Sequence, residues 1–235
     1  MAALYDCGIA NAVVELNAPE PPIMDGSAQP FIELIEKAGT QTQATSRKVI
    51  WLQRPIEIRN GKQYAILTPA EIPRITTEIE FPDTTIGSQT FSVELINDAI
   101  RKNIAGARTF RFEEELPQLR DKDLARGCSE NNTVIIKRDP TTNTKGLRYK
   151  DEYVRHITLD CLGDLALIGV PLLAHLYVRR PDPVFISKII QQLFKKREAW
   201  AYIPIAELGM IAGYHDSPHT NGCSNKTGWN TLIYG

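Results

Sequence analysis

The chain has 235 residues, a formal net charge of −1, 43% hydrophobic and 23% charged residues. That length buries a real core and that composition is ordinary for a globular domain, which excludes a disordered or fibrous protein. The balance of 27 basic against 28 acidic side chains excludes a basic excess of the kind that draws a whole chain onto nucleic acid, so no nucleic-acid partner is expected. The longest strongly apolar run, residues 165–174, is ten residues long, far below the roughly 20 that span a bilayer.

The first residues, Met1 to Cys7, carry no basic segment and no long apolar stretch, so no secretory leader is read there. Cys7, Cys128, Cys161 and Cys223 are scattered and read as reduced thiols of a cytoplasmic protein, with two extracellular disulfides as the competing reading.

In chain order, residues 2–7 resemble the last turns of a helix, an odd way for a domain to begin. Residues 11–17 (Asn-Ala-Val-Val-Glu-Leu-Asn) alternate and predict a strand. Pro19, Pro21 and Pro22 enforce a loop. Pro30 opens a helix with Phe31, Leu34, Ile35 and Ala38 on one face, and Gly39 stops it. Residues 40–46 are small and polar, a linker. Strands are predicted at 49–52, 56–58, 64–67, 75–81 and 90–93, with Asn60-Gly61 as a hairpin signal. Helical spacing covers 93–104, a short helix is predicted within 116–125, a strand at 133–136 and a loop at 139–146. Residues 151–168 form the most convincing helix, with Val154, Leu159, Leu162 and Leu165 on the apolar side. A strand at 172–178 and a long helix within 183–202 follow. Residues 204–235, rich in Gly, Asn, Ser and His, read as a disordered tail.

The sharpest chemical feature is His156-Ile-Thr-Leu-Asp160-Cys-Leu-Gly-Asp164. On a helix these three side chains stand one above another. An imidazole and a carboxylate one turn apart can share a divalent metal, and Zn²⁺ accepts both. The plain alternative is a helix face with a capped histidine and solvated acids. His215, His219 and Cys223 have ligand-like spacing, but Pro218 and Gly222 break any helix there. His175 sits in an apolar strand as a satisfied core histidine. Phe110 and Phe112 flank Arg111 and read as strand aromatics sharing one face. No Gly-rich phosphate loop, Gly-x-Ser-x-Gly elbow or His-Glu-x-x-His helix occurs.

Three ordered segments carry a family resemblance: residues 22–31 (Pro-Ile-Met-Asp-Gly-Ser-Ala-Gln-Pro-Phe), 107–112 (Ala-Arg-Thr-Phe-Arg-Phe) and 146–156 (Gly-Leu-Arg-Tyr-Lys-Asp-Glu-Tyr-Val-Arg-His), the last continuing through 159–165. Over about residues 1–202 the chain resembles the LpxC family, the zinc-dependent UDP-3-O-acyl-N-acetylglucosamine deacetylases of lipid A biosynthesis. The resemblance implies an α+β fold of two α/β-sandwich domains with the active site between them. Residues 1–46 would be the C-terminal part of the first domain plus a linker, and 47–203 a complete second domain. An insert spanning about 110–136 would line an apolar passage for the acyl chain, which gives Phe110 and Phe112 a substrate-binding role. The implied chemistry is metal-assisted amide hydrolysis, with His156 and Asp160 as zinc ligands, Thr109 as oxyanion donor and Asp164 as partner of an acid histidine. The implied partner is a UDP-sugar lipid precursor, met by peripheral contact at the membrane.

The chain also departs from the family pattern. The family's helix carries Glu-His-Leu, its general base and third zinc ligand, immediately ahead of the residues matched by Ala2-Ala3-Leu4, and this sequence opens at Met1. The usual lysine after the zinc histidine is Ile157, the acid histidine falls at about Pro183, and the family's Gly-Gly-Ser is Gly127-Cys128-Ser129. The competing expectation is therefore a truncated, catalytically inactive relative that retains at most nucleotide-sugar or acyl-chain binding. Exposed apolar surface is expected at Val13, Val14 and Leu16, together with poor solubility.

Overall fold

A computed structural model describes residues 1–82, 84–115, 117, 127–136 and 146–207. The body of the predicted 116–125 helix, the body of the 139–146 loop, and the tail from 208 with His215, His219 and Cys223 lie outside those residues.

Short helix α1 (Ala2–Asp6) and helix α2 (Gln29–Ala38) precede the strands β1 (Lys48–Leu52), β2 (Ile56–Asn60), β3 (Gln63–Thr68), β4 (Arg74–Phe81) and β5 (Gly87–Glu94). A π-helical turn (Arg101–Ala105), β6 (Phe110–Phe112) and β7 (Val134–Ile136) follow. Helix α3 (Glu152–Leu165), β8 (Leu172–Leu173), β9 (His175–Arg179), helix α4 (Pro183–Lys195) and β10 (Trp200–Pro204) complete the described elements. The main sheet has the order β2-β3-β9-β4-β5, antiparallel except between β4 and β9. A smaller sheet runs β10-β1-β8, and β6 pairs with β7 in parallel.

The main sheet buries one face, as period-two alternation requires. Ile75, Thr77 and Ile79 of β4 and Leu176 and Val178 of β9 point inward, while Glu78, Glu80 and Arg179 form ion pairs on the other face. Helix α3 packs on β4 and β5, α4 packs on β2 and β3, and α1 lies against α3 and α2. Leu159, Leu162 and Leu165 of α3 and Phe185, Ile186, Ile189 and Leu193 of α4 join one core with Ala2, Ala3 and Ile32. Each such large side chain contributes roughly 1.5–3 kcal/mol by burial. Helix α3 passes into a 3₁₀ turn that ends at Gly169, whose φ of 82° supplies a left-handed cap.

The α+β class and most predicted elements stand. Four local expectations change. Residues 11–17 form no strand, and Val13, Val14 and Leu16 are 83%, 63% and 51% exposed, the apolar exposure expected from the sequence. A strand needs a partner for its backbone groups, and none of the described strands pairs with this stretch. Helical spacing at 93–104 holds for its second half, where residues 99–100 are helical and lead into the π-helical turn, whereas Val93 and Glu94 stay in β5 opposite Ile75 and Arg74. The predicted 172–178 strand divides at buried Ala174, where the chain passes from the small sheet to the large one. The hairpin loop is Gly61-Lys62, one residue later than expected, with Gly61 at φ 58° and Asn60 pairing with Gln63.

Candidate metal and catalytic site

Helix α3 presents Glu152, His156, Asp160 and Asp164 at four-residue intervals, so they rise along one face. That face runs from core to solvent: Glu152 is fully buried, His156 is 8% exposed, and the Asp160 side chain is 53% exposed. The His156 Nδ1 lies 3.0 Å from the Ala107 carbonyl oxygen. A carbonyl can only accept, so Nδ1 carries the proton and, in the neutral ring, Nε2 keeps its lone pair. That Nε2 is 3.5 Å from Asp160 Oδ2. The Phe110 ring stands edge-on to the imidazole, with centroids 6.3 Å apart.

Thr109 lies next to Phe110 in sequence, immediately before β6. Its backbone is held on both sides. Its N–H donates to the Gly26 carbonyl at 2.7 Å, and its carbonyl accepts from Val134 N–H at 2.9 Å. Only glycine fits at position 26. Its φ is 84°, and a Cβ there would stand 1.7 Å from the Asn132 carbonyl oxygen. The half-buried Thr109 is therefore placed by backbone contacts.

The groups that fasten this segment to α3 are Arg108, Glu152 and Arg148, which sequence reasoning did not single out. Glu152 accepts from the Arg108 backbone N–H and Nε, both at 2.9 Å, and from its Nη2 at 3.1 Å. It also accepts from the Arg148 N–H at 2.6 Å. Burial alone would raise the Glu152 pKa, but these donors hold its carboxyl below the usual glutamate value. The Arg148 side chain donates to the Gly106 carbonyl at 2.9 Å and pairs with Asp25 at 2.9 Å. The available signal was the spacing: Glu152 precedes His156 by one helical turn within the matched motif.

Asp164 is half-buried, and its pKa is pushed up to about 6, first by desolvation and then by the Asp160 and Asp182 carboxylates. Asp182 caps α4 by accepting from Phe185 N–H at 2.8 Å, and Pro183 takes the first helical position. Ile157 is half-buried and packs against both larger apolar clusters. His175 is hydrogen-bonded, with Nε2 2.8 Å from Thr76 Oγ1, but it is not a core residue as expected: it is half-buried on the face of β9 opposite Leu176 and Val178. Phe110 is 7% exposed and meets Tyr153 edge-on at 5.2 Å, while half-buried Phe112 packs on Phe81 at 5.7 Å. Both aromatics belong to the second apolar cluster, with Ile79, Val134 and Ile136.

Among the described residues no group of three or more His, Cys, Asp or Glu side chains could hold a metal ion. The His156–Asp160 pair nevertheless fits two corners of a site. Tetrahedral Zn²⁺ with bonds of about 2.0–2.2 Å separates neighbouring donor atoms by about 3.4 Å. The observed 3.5 Å is close to that, the lone pair on Nε2 faces the carboxylate, and the acidic surroundings of Asp164 favour a cation.

A family model described as UDP-3-O-acyl N-acetylglycosamine deacetylase (LpxC) matches residues 1–195. The chain belongs to the LpxC family. It is 36% identical over 200 residues to the UDP-3-O-acyl-N-acetylglucosamine deacetylase of Syntrophus aciditrophicus, covering 85% of this chain and 64% of that one. It is 39% identical over 207 residues to the enzyme of the same name from Phenylobacterium zucineum, covering 88% and 71%. A further relative of that name, from Syntrophotalea carbinolica, is 34% identical over 224 residues, covering 95% and 71%. The chain thus spans about two thirds of the length of the curated relatives it matches. LpxC proteins are metal-dependent hydrolases, which gives the paired donors on α3 a chemical context. No helix among the described residues is long and apolar enough to cross a membrane.

Proposed function

We propose that this LpxC-family chain acts as a zinc-dependent deacetylase, hydrolysing the N-acetyl group of UDP-3-O-acyl-N-acetylglucosamine in lipid A biosynthesis, in the cytoplasm and in peripheral contact with the membrane that holds its acyl substrate. The observation that carries the reading is the His156–Asp160 pair, with Nδ1 tied to Ala107 and Nε2 free toward Asp160. The breadth of the family match, residues 1–195, supports an enzyme over a non-catalytic relative.

His156 and Asp160 would bind zinc, with a further ligand and the general base coming from outside the described residues. Bound zinc supplies Lewis-acid polarisation of the scissile carbonyl and lowers the pKa of water. Thr109, with its backbone pinned by Gly26 and Val134, would donate a hydrogen bond from its hydroxyl to the carbonyl oxygen as negative charge develops there. Asp164 would orient the group that protonates the leaving amine. Phe110 and Phe112 would face the acyl chain at the mouth of their apolar cluster. In domain terms, residues 1–46 would complete a first domain and 47–203 form the second.

Acetate release from the UDP-sugar substrate tests this. Thr109→Ala is expected to lower kcat by about 10²–10³-fold with little change in KM, the size of losing one oxyanion donor. Unchanged kcat would remove Thr109 from the mechanism, and the absence of any zinc-dependent acetate release by the wild-type chain would overturn the reading.

A further inference from the structure

The geometry points to Arg108 and Glu152 as positioning residues that set the His156 ring for metal binding, an inference that rests on the zinc-deacetylase reading and deepens it. Two neighbouring contacts join the 107–108 segment to α3. The Ala107 carbonyl meets His156 Nδ1 at 3.0 Å, and Arg108 meets Glu152 one helical turn earlier through its backbone N–H and its guanidinium. The pair is closed off from water, with side-chain exposures of 7% for Arg108 and 0% for Glu152.

A buried ion pair gains little stability over an apolar pair of the same size, because desolvating both charges is costly. Its particular property here is directional. The carboxylate takes the backbone N–H of Arg108 as well as the guanidinium fork. That fixes the peptide plane between Ala107 and Arg108, which carries the carbonyl that His156 needs. Arg148 adds its own N–H to the same carboxylate and anchors the far end by donating to the Gly106 carbonyl.

The consequence falls on Nε2. While the Ala107 carbonyl is held in place, the neutral ring keeps its proton on Nδ1 and presents a lone pair. If the carbonyl swings away, the proton moves to Nε2, where it can be donated to Asp160, 3.5 Å away. The atom that should bind the metal is then blocked, although no ligand has been altered. Groups that orient metal-binding histidines in this way are typically worth 10–100-fold in metal affinity.

The test reads the ring directly in the zinc-free full chain. Long-range ¹⁵N–¹H correlation spectra of histidine-labelled protein report which nitrogen carries the proton, and the His156 signals are assigned by their loss in His156→Ala. The wild-type ring is expected in the Nδ1–H form. Two variants are compared: Glu152→Gln, and the double variant Arg108→Met/Glu152→Gln, which leaves no buried charge and so guards against simple unfolding. Near-ultraviolet circular dichroism checks that each is folded. In a folded variant the Nε2–H form is expected to appear, with zinc affinity about 10–100-fold weaker than wild type. A wild-type ring in the Nε2–H form overturns the inference. So does a folded variant with the wild-type tautomer and affinity. Loss of folding in both variants also overturns it, because the pair would then be a stability element. Failure of the wild-type chain to bind zinc, with its ring in the Nδ1–H form, would instead overturn the deacetylase reading.

Discussion

Replacing Gly26 by alanine probes the joint that places Thr109. Two costs arise. The first is the positive φ of 84°, which an alanine adopts at roughly 1–2 kcal/mol. The second is overlap. The new Cβ would lie 1.7 Å from the Asn132 carbonyl oxygen, where ordinary contacts begin at 3.4 Å, so backbone must shift by about 1.7 Å to restore the spacing any Cβ needs. That shift threatens the Gly26–Thr109 hydrogen bond and the bonds of Asn132 to Ser129 and Gly127, each worth about 1 kcal/mol. Gly169→Ala is the control, because its φ of 82° carries the same backbone strain while nothing lies within 4 Å of its added Cβ. Gly26→Ala should therefore cost about 3 kcal/mol more than Gly169→Ala. For a chain of this size that is a further drop in Tm of about 6–12 °C, read by circular-dichroism melts at neutral pH. Equal drops for the two variants would refute the close packing of Gly26 under the Thr109 strand.

Two further outcomes follow from burial and charge. Because the donors around Glu152 hold its pKa below the unfolded value of 4.5, its contribution is present above that pH and lost as pH falls through the lower folded value. The Tm gap between wild type and Glu152→Gln should accordingly shrink on acidification from pH 6 toward pH 3, and a constant gap would contradict the charge argument. Phe110→Ala should destabilise by about 3–5 kcal/mol in urea unfolding, the usual loss for a buried aromatic, and half-buried Phe112→Ala by clearly less. If Phe112→Ala instead raises KM for long-acyl substrates without lowering stability, its apolar surface serves the substrate; no change in KM would confine it to packing.

The candidate donor face was legible in the sequence as a shared helix face because helix α3 writes it in a simple period. His156, Asp160 and Asp164 stand four residues apart, and the structure keeps all three on one helix. The two ends of that logic were harder to read. Glu152 belongs to the same period but looks like an ordinary acid in a helix's first turn, and its meaning depends on Arg108, 44 residues earlier in the chain. Gly26 shows its role only when Asn132 and Thr109 arrive from distant segments. Among the elements, β2–β3 was visible through its turn, whereas β10 carries no turn signal and exists by pairing with β1, about 150 residues away. Residues 11–17 show the converse. Their alternation is a good strand pattern, but a pattern without a partner yields exposed valines rather than a strand.

The most direct measurement is the zinc content of the purified, dialysed chain beside His156→Ala and Asp160→Ala. About one tightly held zinc per wild-type chain, lost from both variants, is expected if these two side chains hold the catalytic metal. Zinc retained equally by all three proteins, or by none, would contradict that assignment.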